Sequence, residues 1–96
     1  MEQEMSGIFN RALYSYDKQY AIELYNKEIE NNPSNFAAWN NRGVSKIEVA
    51  VENSDYNLAV DGKNDILKAI AIQNDYPIAV NNIKWADKAI QSIQHQ

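Results

Sequence analysis

Asn31-Asn32-Pro33-Ser34-Asn35-Phe36-Ala37-Ala38-Trp39-Asn40-Asn41-Arg42-Gly43 contains the end of one helix, a turn and the start of the next. Proline keeps the residue before it out of the helical region, so Asn31-Asn32-Pro33 closes the preceding segment. Ser34 is placed to cap the next helix. The apolar face of that helix runs Phe36, Trp39, Gly43, Ile47 and Ala50, at spacings of three and four residues. Gly43 has no side chain to pack, so its place on that face implies a close approach of another backbone.

The same period extends in both directions. Upstream, Asp17 is a plausible N-cap for a helix that buries Tyr20, Ala21, Leu24, Tyr25 and Ile29. Before it, Met5, Ile8, Phe9, Ala12 and Leu13 share one face of a first helix. Downstream, polarity rises from Glu52 to Asp55, and Asp55 can start a helix with the face Ala59, Gly62, Ile66, Ala69 and Ile70, ending near Gln73. Asp61-Gly62-Lys63-Asn64 also carries a turn signal, so residues 52–64 read either as a loop or as extensions of the flanking helices. The extended helices are the reading adopted. Asn74-Asp75-Tyr76-Pro77 is the next break, with Pro77 suited to a helical first turn. Val80, Ile83, Ala86, Ala89, Ile90 and Ile93 then form the last face. No segment alternates as a strand would. The expectation is an all-α chain of about five antiparallel helices in a single domain, residues 1–96.

Composition narrows the function. Ninety-six residues support one modest core. The lack of cysteine excludes disulfides, zinc–thiolate sites and thiol catalysis. A formal charge of −4 argues against nucleic acid as a partner, because phosphate binding needs clustered Lys and Arg. Glu2 and Glu4 stand where a secretory leader would be basic, and no apolar run is long enough for a membrane span. A cytoplasmic protein without membrane contact is expected. His95 lies beside the end of the sequence, where nothing orients an imidazole for metal or proton transfer. Asp61 and Asp65, near Lys63 and Lys68, read as a solvated helix face. Residues 55–62 fail as a calcium loop, with Ala59 and Val60 where an oxygen ligand and glycine are needed. Glu23, Glu28 and Glu30 around Lys27 read as an exposed helix surface. No catalytic residue, metal site or cofactor is expected.

The helical pairs also repeat. Met5 aligns with Trp39 at an offset of 34 residues, and Trp39 with Val80 at 41. The excess of seven is divided as four residues in the third helix and three in the fourth, each close to one turn. On Ala38-Trp39-Asn40-Asn41-Arg42-Gly43, and on Ala21, Tyr25 and Pro33, the chain resembles the tetratricopeptide repeat (TPR) family. Arg42 and Lys46 depart from it, standing where Leu and an aromatic are usual; so do Met5 and Phe9 in the first repeat, and Val80 and Lys84 in the third. The resemblance implies a short right-handed α-solenoid with approximate repeats 2–35, 36–76 and 77–93. It also implies a concave groove that binds an extended or helical segment of another protein.

Under that reading, Asn40-Asn41 and Asn81-Asn82 occupy equivalent places in successive repeats, with Asn10 one turn further along the first. Asparagine is a weak helix former, and its amide can donate to and accept from a peptide backbone. Asn10, Asn40, Asn41, Asn81, Asn82 and Trp85 are therefore the expected partner-binding residues. The family's carboxylate clamp is not reproduced, because Ser6, Ile78 and Asn82 stand where its cations would be. The competing expectation is a self-associating homo-oligomer held through apolar ends at Trp85 and Ile90.

Overall fold

The computed structural model describes residues 17–95. They form four helices: α1 (Lys18–Asn31), α2 (Phe36–Asn53), α3 (Tyr56–Ile72) and α4 (Pro77–Gln94). The described residues thus hold four of the about five helices expected. The remaining one, over residues 5–13, lies outside them. No strand occurs among the described residues.

Each boundary has a local cause. Asp17 caps α1 by accepting from the backbone N–H of Gln19 (3.0 Å) and Tyr20 (3.2 Å). Asp55 caps α3 through Leu58 N–H at 3.1 Å. Pro77 opens α4, where its missing N–H costs nothing. The cap of α2 is Asn35 rather than Ser34. Its Oδ1 accepts from Ala38 N–H (3.2 Å) while its Nδ2 donates to Glu28 on α1 (2.9 Å), so one amide starts a helix and fastens the turn. The Ser34 hydroxyl donates instead to Asn32. Trp39 adds a second fastening, its indole N–H donating to the Pro33 carbonyl at 2.8 Å.

Residues 52–64 are helical apart from a tight corner. α2 runs to Asn53, Ser54 takes a left-handed conformation (φ 53°), and α3 begins at Tyr56. Asp61-Gly62-Lys63-Asn64 is continuous helix. The turn signal is overridden because Gly62 is needed for packing: a Cβ there would stand 2.6 Å from the Gly43 carbonyl oxygen and 2.6 Å from Ile47 Cγ1. A Cβ on Gly43 would in turn collide with the Gly62 carbonyl and lie 2.7 Å from Ile66 Cγ1. The two helices touch backbone to backbone.

α2 is central, packing on α1, α3 and α4, while α3 also packs on α4. The molecule measures 45 × 29 × 18 Å, so its thickness is about two helix diameters. Ile47, Ile66, Ala69, Ala79 and Ala86 form the main buried cluster, with Ala21, Leu24, Tyr25, Ile29 and Ala38 forming another between α1 and α2. Two expected core residues face out instead: Tyr20 and Val80 are about half-exposed. On α4 the buried phase is set by Ala79, Ala86 and Ile93, spaced by seven, which turns Val80 to solvent. Ile90, expected at an exposed end, packs against Ala50, Ala59 and Ile93. Glu28, read as surface, is buried because α1 turns it toward Asn35; its Oε1 has no hydrogen-bond partner among the described residues.

Candidate interaction surface

Most of the expected asparagines are turned toward one another. Asn82 Nδ2 on α4 donates to Asn40 Oδ1 on α2 at 3.1 Å, and Asn40 Nδ2 donates to Asn41 Oδ1 at 3.2 Å. Asn41 in turn hydrogen-bonds the Tyr25 side chain on α1. A polar ladder therefore crosses three helices: Tyr25, Asn41, Asn40, Asn82. Asn40 is 2% exposed, so it belongs to the core and not to an open wall. Buried amides are stable only when bonded, and here each has found a partner. Asn41 and Asn82 are half-buried, Asn81 is exposed, and Asn10 lies outside the described residues.

The ladder has a consequence at alkaline pH. Burial pushes the Tyr25 phenol up to about 12, with the Asn41 bond pulling the other way and the Glu48 carboxylate adding a smaller upward push. Burial also raises Tyr76, whose ring meets Phe36 edge-on at a centroid distance of 4.9 Å. A folded-state value above the unfolded 10 means that the stabilisation is intact below pH 10 and is lost as pH rises toward 12. Alkaline unfolding followed by circular dichroism should therefore show a stability loss in that window, with a smaller loss in Tyr25→Phe. An identical alkaline profile for the variant would contradict the assignment.

α2 also carries a charged cluster that no local pattern in the sequence reveals. Asp65, expected in solvent, is 6% exposed. Arg42 grips it in bidentate fashion, Nε to Oδ2 and Nη2 to Oδ1, both at 2.8 Å. Lys46 Nζ reaches the same Oδ2 at 3.0 Å, and Arg42 Nη1 donates to Asn26 on α1 at 2.8 Å. The Arg42 guanidinium also lies 4.9 Å from the Trp39 ring centroid, with Lys68 Nζ at 5.7 Å. Arg42 and Lys46 are the two α2 residues that depart from the repeat pattern, and both departures converge on Asp65. Their spacing of four is visible in the sequence; their shared carboxylate, about twenty residues away, is not.

The expected binding residues that remain accessible lie along one edge of α4. Ile78 is 60% exposed and Trp85 38% exposed, seven residues apart on one stripe, with exposed Asn81 between them. Elsewhere, an open depression of about 250 Å³ is lined by Asp17, Lys18, Gln19, Val49, Glu52 and Asn53, and is mainly polar. Among the described residues no group of three or more His, Asp or Glu is arranged to hold a metal ion. No helix among them is long and apolar enough to cross a membrane. Comparison with protein families, curated proteins and solved structures finds no match.

Proposed function

We propose that this chain is a protein–protein interaction module, a short right-handed stack of TPR-like helical hairpins that holds a segment of another protein without catalysis. The observation that carries this reading is the placement of α2 and α4. Each begins a hairpin in the repeat scheme, and they pack side by side through the Asn40–Asn82 bond while α3 backs both. That arrangement, in a body about two helices thick, is what a stack with one free wall requires. The accessible binding residues on that wall are Asn81 and Trp85, extended by Ile78. Asn40, Asn41 and Asn82 serve it by fixing the two helices in register. Exposed aromatics supply a large share of binding energy at interfaces.

Two sets of variants separate the roles. Trp85→Ala with Asn81→Ala should leave the thermal midpoint within about 3 °C, since surface changes are usually within about 0.5 kcal/mol. Those variants should lose, in quantitative affinity capture from the native cell, the proteins that the unaltered chain retains. Asn82→Ala should instead lower the midpoint by about 5 °C or more, because it strips a hydrogen bond from buried Asn40 at a cost of about 1–2 kcal/mol. If the Trp85 and Asn81 variant retained the same proteins in the same amounts, the binding proposal would be lost. Sedimentation at micromolar concentration addresses the self-associating alternative, for which a single species near 11 kDa is the adverse result.

A further inference from the structure

The α4 edge has a charge character opposite to that of the chain as a whole. The protein carries a formal charge of −4, yet Lys84 and Lys88, which flank Trp85, are exposed and make no ion pair among the described residues. The one carboxylate of α4, Asp87, is held by Lys63 of α3 at 2.6 Å. Trp85 therefore has two free ammonium groups in its own and the next turn and no free carboxylate of the same helix, while exposed Asp75 lies at the far, Ile78 end of the stripe. We propose that this edge docks an acidic segment of another protein that bears a large apolar side chain. The apolar group lies against Ile78 and Trp85, and the carboxylates face Lys84 and Lys88.

The inference rests on the reading of the chain as an interaction module and specifies the partner's chemistry. Charge complementarity selects the occupant. A second copy docked through the same edge would bring four ammonium groups together with no free carboxylate on either α4 to meet them. An apolar partner lacking charge would leave Lys84 and Lys88 facing its rim unpaired. The carboxylates required are those of side chains, so the segment needs no free chain end.

A library of random dodecapeptides, displayed with both ends fused, tests this on the full chain. Sequences selected on the unaltered protein and counter-selected on Trp85→Ala should be net negative and contain Trp, Phe, Leu or Ile. A labelled peptide of the enriched type should bind at least about 10-fold more weakly to the Lys84→Glu, Lys88→Glu double variant, and its binding to the unaltered protein should fall with added salt. Enrichment of neutral or basic peptides that still depend on Trp85 would overturn the acidic partner and leave the docking surface standing. Enrichment indifferent to Trp85→Ala would overturn both. Loss of enrichment because copies of the chain occlude this edge, seen as a dimer that Trp85→Ala dissolves, would assign it to self-association and also overturn the proposal.

Discussion

Gly43→Ala and Gly62→Ala should each lower the thermal midpoint by more than about 10 °C, and together they should prevent folding at room temperature. Each added methyl meets a backbone carbonyl of the facing helix and the Cγ1 of Ile66 or Ile47, all within 2.7 Å. A flexible side-chain tip can rotate away; a carbonyl within a helix cannot. Relief requires α2 and α3 to separate, and their contact is the most extensive among the described helices. Overpacking of a tight core typically costs about 1–3 kcal/mol, and a backbone clash belongs at or above the upper end. A domain of this size has only about 5–14 kcal/mol to lose. Alanine is the better helix former by about 1 kcal/mol, so propensity alone forecasts the opposite sign. Thermal melts of the two single variants decide between them. A midpoint that stayed level or rose would mean that the helices do not touch through these glycines.

Asp65→Ala should cost about 3 kcal/mol, the largest effect expected after the two glycine variants. Removing the carboxylate leaves Arg42 and Lys46, whose side chains are only 15% and 17% exposed, facing each other without a counter-charge. Breaking a buried pair from one side costs about 3–5 kcal/mol, and the lower figure applies here because some water still reaches both cations. Removing the whole cluster is a different matter. Arg42→Leu, Lys46→Tyr and Asp65→Leu made together should restore stability to within about 1 kcal/mol of the unaltered chain, since an apolar replacement avoids desolvating three charges. Urea titration of the single and triple variants measures both values. A triple variant no better than Asp65→Ala would show that the cluster contributes beyond its own charge balance.

The helices are legible in the sequence where the signal is local. Asp17, Asp55 and Pro77 start helices as expected, and the faces of Phe36 to Ala50 and Ala59 to Ile70 are the ones that pack. The α2–α3 corner is legible only in part, because the Asp61-Gly62 signal is local whereas the demand for a bare Cα at Gly62 comes from Gly43 on another helix. The same reason explains the polar errors. Asp65 looks like a surface residue until Arg42 and Lys46 are brought beside it. The asparagines are unusual for a helix surface, and that signal is sound. Their use differs from the expected one, because an amide that satisfies a peptide backbone satisfies another amide equally well. Of the expected binding residues within residues 17–95, Asn81 and Trp85 are the ones left exposed.

Ser54 makes the corner between α2 and α3 almost without slack, whereas four residues connect α1 to α2 and four connect α3 to α4. The Asn35 and Trp39 hydrogen bonds tie the first of these connections down, which leaves residues 73–76 as the longer connection without such side-chain fastenings among the described residues. The central hairpin then behaves as a stiff spine, to which the Asn40–Asn82 bond fastens α4 and its tryptophan.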